Sequence, residues 1–204
     1  MLLFLDVISP IPEFFIIEEN KVIHQRKILK NESQKLSDHI VNCYIGLNKD
    51  LNLAKNIDKI IITVGPGSYT SLRVGAAFMS GLIISKKLEF CCITVEDIFN
   101  FNSKKYNYQD LGVFISSGNN QEFMCTMEDG KEIRYIKIEK NNYIFPHRIK
   151  KILYNLNKFK NISNELSQYK FTFIDEIINN INKLKFVNDT IIKPIYISNN
   201  QILN

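Results

Sequence analysis

Short blocks of apolar residues separated by turn residues dominate the first hundred positions, and their periodicity predicts the elements. Leu2–Ile8 and Glu13–Glu18 read as strands joined by Ser9-Pro10-Ile11-Pro12, and Lys21–Leu29 follows as a third strand after Glu19-Asn20. Together they form an antiparallel meander. From Ser33 to about Leu53 the period changes to that of a helix, with Leu36, Ile40, Cys43, Tyr44, Leu47 and Leu51 on one stripe. Lys59–Val64 is a strand, Leu72–Lys87 a helix, Glu89–Thr94 a short strand and Glu96–Phe101 a short helix. Thr94 and Asp97 have the spacing of a capping box at the start of that last helix.

Ser103–Asp110 is polar and turn-rich, and it divides the chain into lobes of residues 1–103 and 104–204. Leu111–Ser116, Glu122–Met127 and Glu132–Glu139 read as three more strands. Beyond Pro146 short helices mix with weak strands. Ile192–Ile197 is an extended tail segment, and residues 191–204 are a candidate to return to the first lobe.

The Leu72–Ser85 helix is apolar nearly all round. Leu72, Ala76, Met79 and Ile83 share one face, Val74, Phe78 and Leu82 another, and Ala77, Gly81 and Ser85 form a stripe of small side chains. Such a helix has to be covered on both sides. Either it lies sandwiched within its own fold, or its second side is an interface.

Composition narrows the class. A 45% apolar fraction in 204 residues supports a real core, and the net charge is +5. No apolar run approaches the ~20 residues of a membrane span. Met1–Leu5 reaches Asp6 without a preceding basic residue, so it reads as a first buried strand rather than a signal segment. Cys43, Cys91, Cys92 and Cys125 form no CxxC pair and read as reduced, buried thiols of a cytoplasmic protein. The positive charge is mostly lysine, with arginine only at positions 26, 73, 134 and 148. One cluster, His147, Arg148, Lys150, Lys151, Lys158 and Lys160, reads as the solvated face of a helix, with a tRNA-phosphate contact as its functional alternative.

The most informative run is Gly65-Pro66-Gly67-Ser68-Tyr69-Thr70-Ser71-Leu72-Arg73-Val74-Gly75, between a strand and a helix. Its glycines admit backbone angles closed to other residues, and Ser68, Thr70 or Ser71 can cap the helix. Arg73 falls in the first helical turn, where its charge opposes the helix dipole. That cost calls for a partner, either an internal carboxylate or a group across an interface.

This run resembles the GPGSFTGLRIG-type signature of the bacterial TsaB (YeaZ) proteins. The match covers Gly65, Pro66, Gly67, Ser68, Thr70, Leu72, Arg73 and Gly75, with Tyr69 for the usual Phe and Ser71 for the usual Gly. Glu32–Ile40 resembles the family's HSERL-type stretch, with Glu32 at its usual His, and Pro194–Ser198 loosely resembles its PxYLR-like segment. The resemblance implies an α/β fold of the actin-like ATPase superfamily: two lobes of mixed sheet plus helices, the second reduced. It implies a non-catalytic subunit that dimerises with and activates a TsaD-type catalytic subunit making N6-threonylcarbamoyladenosine at position 37 of tRNA. A TsaE-type ATPase would join the complex, tRNA would be reached indirectly, and the same surface would also allow a homodimer. The implied interface is Leu36, Ile40, Tyr44, Arg73, Ala76, Ala77, Met79, Ser80, Gly81 and Ile84.

The residues themselves argue against independent catalysis. An actin-like phosphate loop needs small residues with free amides. Here Asp6 is followed by Val7 and Ile8, and Pro10 and Pro12 remove two donors. His24, His39 and His147 are too scattered for a metal pair, and Ser68 has no evident base. No cofactor of its own is expected; ATP or ADP and a metal would belong to the complex. The alternatives are a small-molecule kinase or carbamoyl transferase of the same superfamily, or a divergent homodimeric regulatory module.

Overall fold

The computed structural model describes residues 1–31, 33–118, 121–128, 130, 132–138, 146–155 and 166–197. Two five-stranded mixed sheets carry the fold. In the first, β1 (Leu2–Asp6) is central, flanked by β2 (Glu13–Glu18) and β3 (Lys21–Lys27) on one side and by β4 (Lys59–Thr63) and β5 (Glu89–Ile93) on the other. The β1–β2 and β2–β3 pairs are antiparallel; β1–β4 and β4–β5 are parallel. The parallel pairs require crossovers, and helices supply them.

The second sheet repeats this wiring. β6 (Leu111–Ser117) is central, with β7 (Gln121–Glu128) and β8 (Glu132–Ile138) antiparallel on one side. β9 (Lys151–Tyr154) and β10 (Ser167–Lys170) run parallel to it on the other. The strand order β8-β7-β6-β9-β10 mirrors β3-β2-β1-β4-β5. The two halves even share a helix cap. After β5, Thr94 caps α4 (Val95–Asn102): its N–H donates to Asp97 Oδ2 at 2.8 Å, and Asp97 N–H donates to Thr94 Oγ1 at 3.2 Å. After β10, Thr172 caps α5 (Phe173–Asn179), with Asp175 N–H donating to Thr172 Oγ1 at 3.1 Å.

Three expectations shift. α1 spans Leu36–Leu51, because Ser33 is spent in a turn where its N–H and Oγ both donate to Asn31 Oδ1. Asn52, left-handed at φ 51°, ends it and starts the short α2 (Leu53–Asn56). α3 (Tyr69–Lys86) begins three residues earlier than Leu72, because Ser68 is its N-cap. The basic cluster is not a helix face: residues 147–148 form a turn and Lys151 opens β9. Arg148 donates to the carbonyls of Gln109 (3.2 Å) and Met127 (3.3 Å) and reaches Glu128 at 3.7 Å. Lys158 and Lys160 lie outside the described residues, as do Glu32, Asn119 and Ser198.

α1 and α3 pack together on one face of the first sheet. Phe14 of β2, Tyr44 of α1 and Phe78 of α3 meet there, with ring centroids 5.5–6.4 Å apart. On the opposite face Phe4 stacks on Phe15 at 5.4 Å. α4 packs against β6 and β7, and one continuous core runs from the first sheet through α4 into the second. No described helix is long and apolar enough to cross a membrane.

Candidate functional site

The signature run builds a loop that is consumed internally. Gly65 has φ 128°, a left-handed-side value, and a Cβ there would lie 2.5 Å from the carbonyl oxygen of Ile195. The reason is a backbone bond next door: Ile195 N–H donates to Val64 O at 2.7 Å. Tyr196 continues the contact, its ring 4.8 Å from that of Tyr69. Pro66 is buried. Ser68 N–H donates to Ser117 Oγ at 2.8 Å, and Ser68 Oγ accepts from Ser71 N–H at 3.5 Å as the cap of α3. Gly75 is needed for close approach, since a Cβ would meet Val7 Cγ1 at 2.6 Å. Thr70 is exposed and, with Ser68, Ser71, Lys35 and Gly118, lines a pocket of about 310 Å³ where the N-termini of α1 and α3 converge.

Among the described residues Arg73 has no carboxylate partner. Its guanidinium lies 5.0 Å from the Tyr69 ring centroid and donates to Tyr69 Oη at 3.2 Å. Arg73, Tyr69 and Tyr196 thus form an exposed cation and aromatic ladder beside the loop.

The expected interface residues separate into two sets. Leu36, Ile40, Ala76 and Met79 are buried in the chain's own core. They occupy the side of each helix that covers the sheet. Tyr44 and Ser80 are half-buried, while Arg73, Ala77, Gly81 and Ile84 are exposed. The outer face also presents Val41 and Ile45, 51% and 46% exposed, with Ile84 at 60%. Sequence reasoning missed the α1 pair. Their spacing of four, off the buried stripe, is the signal that marks a second apolar face. A Cβ on Gly81 would meet nothing within 4 Å, so this face is open at its centre.

A second cavity, about 600 Å³, opens on the far face of the first sheet. Asp6, Glu13, Phe15 and Lys27 line it from that sheet, with Asn155 and Thr172 opposite. Asp6 is buried, and its Oδ1 accepts from Ile8 N–H (2.9 Å), Ser9 N–H (3.2 Å) and Thr63 Oγ1 (3.1 Å). Burial pushes its carboxyl above the ordinary 3.8, against these bonds. It is a turn carboxylate, as the sequence suggested. Pro10 and Pro12 leave the hairpin short of amides for a phosphate.

Nucleophile chemistry finds little support. Burial, aided by Asp97, raises Cys91 to about 12 and Cys92 to about 11, and burial raises Cys125 further. These thiols stay protonated near neutrality. Among the described residues no three His, Cys, Asp or Glu side chains gather where a metal ion could be held.

Residues 20–196 match the family model described as TsaD: tRNA N6-adenosine threonylcarbamoyltransferase. Among solved structures the chain is similar to YeaZ from Pseudomonas aeruginosa, with a TM-score of 0.60 at 13% identity, covering 96% of this chain and 99% of that one. It is similar also to a protein described as uncharacterised, with similarity to peptidase YeaZ, from the same organism. There the TM-score is 0.58 at 14% identity, over 96% of this chain and 98% of the other. At such identities the likeness is one of fold, and the fold is that of YeaZ. No curated protein sequence matches significantly.

Proposed function

Because the chain belongs to the TsaD family, tRNA N6-adenosine threonylcarbamoyltransferase, we propose that it serves that modification as an accessory subunit without an active site of its own. It pairs with a TsaD-type catalytic subunit and holds it in a productive conformation. The observation that carries this reading is the outer face of α1 and α3. Val41, Ile45 and Ile84 are exposed there around Ala77 and the open Gly81. Small residues let a second pair of helices approach closely, and the exposed aliphatics supply apolar area to bury. The loop behind the face supports the same reading. Its groups spend their donors and acceptors on the tail, the α3 cap and Ser117.

On this reading the nucleotide and metal of the reaction sit with the partner, and a TsaE-type ATPase joins the pair. The same face also serves a homodimer of this chain. Size-exclusion chromatography with light scattering tests it, on the chain alone and mixed with the catalytic subunit from the same source. A one-to-one complex that replaces any free dimer supports the reading. A chain that ignores the catalytic subunit overturns it.

The cavity beside Asp6 favours a second reading, a transferase or kinase acting alone. Its hairpin argues against it, since Asp6 Oδ1 is already occupied by three donors. Tight ATP binding to the isolated chain by calorimetry would revive it.

A further inference from the structure

Away from the α1 and α3 face, the edge of the second sheet carries a pair of tyrosine rings in contact, flanked by lysines. Tyr106, just after α4, is buried, and the ring of Tyr169 on the edge strand β10 lies against it, tilted by 33° with centroids 5.3 Å apart. Tyr169 remains 41% exposed. Lys105 Nζ lies 5.0 Å from the Tyr106 centroid and 5.9 Å from that of Tyr169, and Lys151 Nζ lies 5.5 Å from Tyr106. The register Ser167↔Lys151 and Tyr169↔Leu153 puts Lys151 and Tyr169 on one face of the sheet. Neither lysine forms an ion pair among the described residues. Glu176, whose charge Lys105 feels, is half-buried, and its Oε2 accepts from Asn102 Nδ2 at 3.1 Å.

We propose that this patch binds a single-stranded segment of RNA, with one unpaired base stacking on the Tyr169 ring and adjoining phosphates meeting Lys105 and Lys151. The chemistry matches that ligand on two independent counts. A half-exposed ring braced by a second ring is a platform for a base, and two cations beside it complement the backbone. An acidic peptide would use the lysines and leave the ring idle. The choice of RNA as the polyanion rests on the tRNA-modifying role proposed above, whereas the platform itself does not. The contact would be direct, in addition to whatever the catalytic subunit holds.

The test is fluorescence anisotropy with a labelled oligouridylate, a duplex RNA of equal length and an unmodified tRNA transcript. Each is titrated with the full chain, alone and mixed with the catalytic subunit. Tyr169→Ala is expected to weaken single-strand binding about tenfold, and Tyr169→Phe to bind like the parent. The double variant Lys105→Ala/Lys151→Ala is expected to lower the slope of log K against log salt by about 1.4. Lys49→Ala/Lys55→Ala, on α1 and α2, is the charge-matched control. Circular dichroism checks that each variant folds, and the lysine pair, being on the surface, carries the test if Tyr169→Ala does not. Unchanged affinity in Tyr169→Ala, equal affinity for duplex, an equal loss in the control pair, or displacement of the oligouridylate by polyglutamate at matched charge would each overturn the proposal. A chain that pairs with the catalytic subunit yet shows no such discrimination sinks this inference alone. One that binds RNA through Tyr169 without pairing sinks the accessory-subunit reading alone.

Discussion

Ser117, the last residue of the central strand of the second sheet, accepts the Ser68 N–H at 2.8 Å and thereby fastens that sheet to the cap of α3. Both serines are buried. Ser117→Ala leaves the buried Ser68 N–H without its acceptor. The expected cost is about 1–3 kcal/mol. Urea denaturation reads it, and an unchanged midpoint would mean that the bond contributes nothing.

Gly75 and Val7 define how closely α3 approaches β1. A methyl at Gly75 meets Val7 Cγ1 at 2.6 Å, so Gly75→Ala should cost about 1–3 kcal/mol through overpacking. Val7→Ala removes the obstructing methyls. The double variant should therefore be less destabilised than the sum of the single ones, which a double-mutant cycle measures. Simple additivity would contradict the contact.

Gly81 behaves oppositely, because nothing stands within 4 Å of its missing Cβ. Gly81→Ala should stabilise the isolated chain by about 1 kcal/mol through helix propensity alone. Gly81→Leu should fold equally well yet fail to pair with the catalytic subunit, as should Ala77→Glu. Thermal melts and co-purification separate the two effects; co-purification of folded Gly81→Leu would remove this face from the interface.

Asp6 should make stability depend on pH with a sign opposite to that of an ion-paired carboxylate. Its folded value is raised above 3.8, so in the window above 3.8 the folded chain holds more protons than the unfolded one. Stability from this group therefore falls as pH rises through that window. Asp6→Asn abolishes the slope, and its stability relative to the parent should improve from pH 3 upward before levelling. Parallel curves for the two proteins, measured by denaturation from pH 3 to 7, would show that the carboxyl is not shifted.

The first hundred residues were legible because each strand there is bounded by its own turn chemistry: Pro10 and Pro12, Glu19-Asn20, then Gly65 and Gly67. The capping box of Thr94 and Asp97 was legible in their spacing. The same spacing at Thr172 and Asp175 went unread because it follows β10, whose Ser167–Lys170 carries no apolar alternation. Within α3, pattern could not tell Met79 from Ile84, since the helix is apolar all round. Only the sheet beneath decides that Met79 turns inward and Ile84 outward. The tyrosine and lysine patch joins residues from the end of α4, from β9 and from β10, and no local spacing announces such a meeting.

The bond from Ile195 to Val64 has a consequence for how the protein is made. A ribosome delivers the glycine-rich loop well before the segment that closes over it. Until then the Val64 carbonyl and the bare backbone of Gly65 wait beside α3 with no cover. The glycine-rich loop thus matures only once residue 195 has been made, and a nascent chain halted before it would carry the signature without the shape that goes with it.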